Sequence, residues 1–241
     1  MNVKVTARKK KPILLTVPRF AQPDDLTCGP TCLAQVYKYY GYEKALGAII
    51  EETPRNPDGG TLAVYLGIRA LRDGFRTQIY SYNLRVFDPT WRKLDVAALL
   101  TKLESRLQKV KSQRLCSSIS GYRDYILLGG EVCFAELTRE LLAGILAKGH
   151  PVLTGLNATY LYGTPREYRD EYDDVRGEPV GHFVVISGYY PASGRFIVRD
   201  PSSHIPFSRT GKYSVAAQRL ISAILLGDVT YDGVLLIVSR R

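Results

Sequence analysis

Gln22-Pro-Asp-Asp-Leu-Thr-Cys28-Gly-Pro-Thr-Cys32 carries a polar, turn-prone segment into the start of an apolar-periodic helix. From Cys32 onward, Leu33, Val36, Tyr37 and Tyr40 recur at helical spacing, and Gly41 stands where the run must stop. Pro30 suits the first helical turn, because the N–H it lacks would have no intrahelical partner there. Cys28 is therefore expected at a helix N-terminus, where the dipole and free N–H groups favour a thiolate. A thiolate is the form that attacks carbonyl carbon. Gln22, one short loop earlier, has the side-chain amide donor that an oxyanion hole requires.

A cysteine nucleophile needs a base, and the chain has three histidines. His182 opens Gly181-His-Phe-Val-Val-Ile-Ser-Gly188, an apolar, β-branched run that reads as a buried strand. Gly194-Arg-Phe-Ile-Val-Arg-Asp200-Pro201 reads as a second strand, joined to the first by the turn-forming stretch Tyr189 to Ser193. In an antiparallel hairpin the first residue of one strand lies near the last residue of the next. His182 and Asp200 are thus expected side by side, with Asp200 fixing the imidazole tautomer. His204, close to Asp200 in sequence, is the second choice as base. Asp174 is the next choice as orienting acid. His150, in a Gly-His-Pro turn, reads as a surface residue.

The order Gln22, Cys28, His182, Asp200 resembles the papain-like cysteine peptidases. Thr27-Cys-Gly-Pro-Thr-Cys32 and Gly181-His-Phe-Val-Val185, followed by Val198-Arg-Asp-Pro201, are similar to the bacteriocin-processing peptidases that cut after double-glycine leaders. The likeness covers roughly residues 17–41 and 180–201. It implies Gln22 as the oxyanion-hole residue, Cys28 as nucleophile, His182 as general base and Asp200 as orienting acid.

The 241 residues, 45% of them hydrophobic, suffice for one sizeable core. We expect a basic N-terminal arm over residues 1–16 and a single papain-like domain over 17–241, with an elaborated middle at about 75–150. Helices early and a meander of strands later imply an α+β fold, N-terminal helices packed on an antiparallel sheet. Expected helices run over Glu43–Glu52, from a Thr61 cap to Asp73, over Asp95 to about Ser112, over Phe134–Lys148 and over Val215–Leu226. Strands are expected at Phe75–Tyr82, Pro151–Leu156 and Val234–Val238. Ser117 to Gly130 is ambiguous, and Asn157 to Glu167 reads as a polar, tyrosine-rich loop. That loop leads towards His182, so Tyr160, Tyr162 and Arg166 are the expected substrate contacts.

The net charge of +10 invites a nucleic-acid or membrane reading. Part of it is the Arg8-Lys-Lys-Lys11 run, read as a solvated arm, and part the outer face of the Asp95 helix. Neither a zinc-knuckle spacing nor a glycine-rich phosphate loop accompanies it, so nucleic acid is an unlikely partner. No run is long enough to cross a bilayer, and Pro12 to Val17 is too short for a signal core. Cys28, Cys32, Cys116 and Cys133 form no disulfide framework and fit a reducing, cytoplasmic setting. Cys28 and Cys32, one turn apart, have too few neighbouring ligands for a metal site, and Cys32 reads as a core residue.

The sequence therefore points to a cysteine-dependent hydrolase cleaving a peptide or amide bond through a thioester, with no metal or cofactor. The same site would transfer the acyl group if an amine replaced water. A non-catalytic peptide-binding module of the same fold is the reading from a different class.

Overall fold

The computed structural model describes residues 11–56, 59–227 and 233–241. The elements run β1 (Ile13–Leu14), α1 (Cys28–Tyr39), α2 (Leu46–Glu52), α3 (Ala63–Arg72), β2 (Arg76–Ser81), α4 (Val96–Leu107), α5 (Gln113–Leu127) and β3 (Glu131–Cys133). They continue with α6 (Arg139–Ala147), β4 (Val152–Asn157), α7 (Ala158–Tyr162), β5 (Glu167–Tyr168), β6 (Glu171–Tyr172), β7 (Gly181–Tyr190), β8 (Arg195–Arg199), β9 (Lys212–Ala216), α8 (Ala217–Leu225) and β10 (Val234–Ser239).

One sheet in the order β3-β2-β10-β4-β7-β8-β9 organises the fold, with helices on both faces. Every pairing in it is antiparallel except β2 with β3. The architecture is the expected α+β one. β7 explains why its sequence is apolar without alternation, since a strand covered on both faces has no solvated side. Phe183 and Val185 join the core shared with α1, α3 and α5, while Val184 and Ile186 join the core shared with α6 and α8. α1 lies against β7, which brings Cys28 to the strand that begins at His182.

The pairing of β4 with β7 stops at Val152 opposite Ile186, and β1 takes up Gly188 and Tyr189. β1 belongs to the segment expected as an arm. Only residues 13–14 pair, too few for a strand pattern to be read. The Arg8–Lys11 run lies outside the described residues except for Lys11. Gly188 is required where β1 crosses, because a Cβ there would sit 2.7 Å from the Ile13 carbonyl oxygen.

Several element boundaries differ from the sequence expectation; α2 starts at Leu46 rather than Glu43, and Val215 and Ala216 belong to β9, so α8 starts at Ala217. Thr61 does not cap α3; its hydroxyl donates to the Pro54 carbonyl at 2.9 Å, and Leu62 occupies the cap position. α4 ends at Leu107, and Ser112 caps α5 through Leu115 N–H, so the ambiguous segment is helical. Phe134 to Leu137 stay outside α6, which Thr138 caps. The Asn157 loop begins with α7, capped by the Asn157 side chain on Tyr160 N–H at 2.8 Å.

Candidate active site

The sequence Asp24-Asp-Leu-Thr27 folds into a tight turn that delivers Cys28 as the first residue of α1. Thr27 Oγ1 donates to the Asp24 carbonyl at 3.0 Å, and Asp24 Oδ1 accepts Leu26 N–H at 2.9 Å. Gly29 follows because a Cβ there would lie 2.6 Å from Thr61 Cγ2. Cys28 is half-buried, and Cys32, one turn on, is fully buried and donates to the Phe183 carbonyl at 3.2 Å. Burial, with Cys28 and Asp200 nearby, pushes the Cys32 thiol far up, so it stays neutral.

The β7–β8 hairpin brings His182 to Asp200 as pairing logic requires. Val185 opposes Arg199, so the chain leaving β8 runs back along the start of β7. His182 Nε2 lies 2.8 Å from Asp200 Oδ1, and Cys28 is close enough to the imidazole to raise its proton affinity. With Nε2–H donated to the carboxylate, the nitrogen left for Cys28 is Nδ1. Burial works against the imidazolium, but the Asp200 carboxylate and the Cys28 contact outweigh it and raise His182 to about 10.

Asp200 is fully buried and still ionised. Oδ1 accepts from His182 and from Ser202 N–H at 3.0 Å; Oδ2 accepts from the Tyr162 and Tyr213 hydroxyls, both at 2.8 Å. Hydrogen bonds to a charged group contribute about 1.5–3 kcal/mol each, so four of them offset the several kcal/mol that burying a carboxylate costs. The carboxyl is accordingly held below its usual range despite burial. Burial and the neighbouring carboxylate push both tyrosines up, so each remains a donor.

The N-terminal segment is tied to the same corner. Arg19 donates to the carbonyls of Asp200, Pro201 and Ser202 at 3.1, 3.1 and 2.8 Å, and Gln22 N–H donates to Pro201 O at 3.0 Å. Gln22 is thereby set on the rim of a cleft of about 400 Å³ lined by His182, Tyr162 and His204. Its Oε1 is buried without a partner. Gly211, at φ +66°, lets Arg19 approach, since a Cβ there would meet Arg19 Nε and Asp200 O at 2.5 Å.

The Peptidase_C39 like family matches residues 14–217, which include Gln22, Cys28, His182 and Asp200. The chain belongs to that family. It is a cysteine peptidase, and its fold is the papain-like one. A C39-like peptidase from Bacillus anthracis is 15% identical over 96% of this chain and 99% of its own, with a TM-score of 0.52. Xylellain, a cysteine protease from Xylella fastidiosa, is 12% identical over 97% and 87%, with a TM-score of 0.48. The peptidase domain of Streptococcus ComA, a bifunctional ABC transporter, is 14% identical over 93% and 99%, with a TM-score of 0.45. No curated protein matches the chain.

Of the three expected substrate contacts in this peptidase, Tyr162 alone reaches the corner, and it does so through Asp200 as well as the cleft. Tyr160 is exposed with the Arg219 guanidinium over its ring at 5.4 Å. Arg166 is exposed and bonded to the Asp174 carbonyl. Neither lines the cleft beside His182, because α7 turns Tyr160 towards α8 and the β5–β6 hairpin draws Arg166 outward. Asp174 is likewise exposed. His204 sits on the cleft rim, and His150 bonds through Nδ1 at 3.0 Å to Tyr40, at the end of α1 opposite Cys28. Sequence reasoning missed Tyr213, Arg19 and Gly211, for which no local motif exists. Among the described residues no group of side chains could hold a metal ion.

The raised His182 fixes the sign of a pH effect. A group whose folded value lies above its free value keeps its proton through neutral pH and loses it only as pH climbs through the raised value. The alkaline limb of kcat/KM is therefore expected well above the ordinary histidine range, near the shifted His182 value. A pH–rate profile checks this, and a limb near 6.5 would show that Asp200 does not hold the imidazolium.

Proposed function

We propose that Cys28 attacks a peptide or amide carbonyl and that the reaction passes through a thioester acyl-enzyme. The observation that supports this most is the His182 imidazole bonded to the buried Asp200 carboxylate with Cys28 beside it. The ion pair of thiolate and imidazolium supplies the nucleophile, and His182 Nδ1–H then protonates the leaving amine. The emptied imidazole accepts a proton from water as that water attacks the thioester. Asp200 holds the ring in one tautomer throughout. The Gln22 side-chain amide and the Cys28 N–H, a free donor at the start of α1, stabilise the oxyanion.

Hydrolysis is preferred to acyl transfer, since the cleft beside His182 opens to water at a rim of polar side chains such as Thr164 and Ser202. A purely peptide-binding role would leave the Cys28–His182 contact without a purpose. We read 17–241 as one domain whose middle, about 75–150, adds α4 and α5 around the same core. Among the described residues no helix is long and apolar enough to cross a membrane. Four free cysteines fit a bacterial cytoplasm.

Gln22→Ala tests the oxyanion assignment. The substitution is expected to lower kcat on the order of a hundredfold with a small change in KM, since the lost contact forms only in the transition state. Steady-state kinetics on any cleaved peptide measures it. An unchanged kcat with a lower melting temperature would make Gln22 a loop-fixing residue only.

A further inference from the structure

Cys28 lines a cavity of about 310 Å³ that is separate from the cleft beside His182 and that Tyr162 does not reach. Asn56, Thr61, Arg114 and Phe183 line it, and Asp25 and Gly181 border both this cavity and the cleft beside His182. The two therefore adjoin at Asp25 and Gly181, with Cys28 lining this cavity and His182 the other.

Asn56 is 6% exposed, and its Oδ1 is buried without a partner. The backbone of Asn56 is engaged, its N–H donating to Gly60 O at 2.7 Å and its carbonyl accepting from Gly59 N–H at 2.9 Å, while the side-chain oxygen is not. A buried carbonyl oxygen left without a donor is costly and rare, and calls for a reason. A bound donor supplies one.

We propose that the cavity beside Cys28 is a peptide subsite in which Asn56 Oδ1 accepts a main-chain N–H of the substrate. The inference rests on Cys28 as the attacking group. Attack takes place on a main-chain carbonyl, so the atoms that enter a trough adjoining Cys28 are main-chain atoms first. Successive residues of an extended chain advance by about 3.3–3.6 Å, which puts an N–H within one or two residues of any scissile carbonyl. Asn56 is a neutral acceptor, matched to a neutral amide N–H. The glycines at 60 and 181 leave the walls without side chains at two points, so an extended strand can lie close. Recognition of this kind reads the presence of a peptide bond whatever the side chain.

The test uses acetyl-Ala-Ala chloromethyl ketone and two analogues, each with one amide N–H replaced by an ester oxygen. Alkylation forms a Cys28 S–C bond and releases chloride. In the native protein one of the two esters is expected to react on the order of tenfold or more slowly than the amide. Asn56→Leu should bring the amide down to the ester rate, while Asn56→Asp, which keeps an acceptor oxygen of the same reach, retains the difference. Alkylation of Cys28 by iodoacetamide should be unchanged in Asn56→Leu, which also reports that the site is intact. Equal rates for all three probes in the native protein would overturn the subsite. So would a ratio that survives Asn56→Leu or vanishes in Asn56→Asp. If none of the three ketones alkylates Cys28, the nucleophile assignment itself falls and takes the subsite with it.

Discussion

Cys28→Ser is expected to lower peptide turnover by about five to six orders of magnitude, the scale seen when a catalytic nucleophile is removed. The size follows from the state of His182. Its raised proton affinity means that at neutral pH the ring carries its proton, so little free imidazole exists to deprotonate a serine hydroxyl. The fold should be untouched, because the change is nearly isosteric at a half-buried position at the first turn of α1. A mixed peptide library read by mass spectrometry, alongside a thermal melt, measures both. Residual turnover within tenfold of the native protein would move the nucleophile elsewhere, and a lowered melt would mean that the side chain is structural.

Asp200→Asn should cost about 10⁴ in kcat. Four donors converge on the two carboxylate oxygens, and an asparagine offers one oxygen and an NH₂ group in their place. If the amide oxygen turns to Tyr162 and Tyr213, the NH₂ faces His182 Nε2 and favours the tautomer that carries its proton on Nδ1. That ring cannot accept the thiol proton. If it turns the other way, two buried hydroxyls lose their acceptor. Either outcome lowers His182 from its raised value, so the alkaline limb of kcat/KM should move down as kcat falls. A native rate in Asp200→Asn would show that the carboxylate plays no part in orienting the ring.

The parts of the fold and site that the sequence discloses are those set by neighbouring residues. α1 is legible because Leu33, Val36 and Tyr37 repeat on one face and Gly41, at φ +66°, ends it. The meeting of His182 with Asp200 is legible because a hairpin brings its two ends together whatever the rest of the chain does. The parts that stay hidden depend on contacts far apart in sequence. Arg19 reaches residues some 180 positions away, and Tyr162 meets Asp200 across 38. No periodicity announces such contacts. Tyr162 was expected against substrate; the sequence shows a tyrosine near His182, but only the packed fold shows its hydroxyl on Asp200. α5 is hidden for another reason. Its serines and Gly121 are poor helix formers, and Gly121 is there because a Cβ would sit 2.9 Å from Val64 Cγ1 on α3. Packing overrides propensity at that point.

The most direct measurement is competitive alkylation with limiting iodoacetamide at near-neutral pH, mapped by mass spectrometry of the digested protein. All four cysteines are free, and Cys28, Cys116 and Cys133 are comparably half-buried, so exposure alone does not favour one of them. Cys28, beside His182, should be labelled well ahead of the other three, and His182→Ala should remove that lead while His204→Ala leaves it intact. Uniform labelling, or a lead that survives His182→Ala, would contradict the claim that Cys28 and His182 act as one catalytic pair.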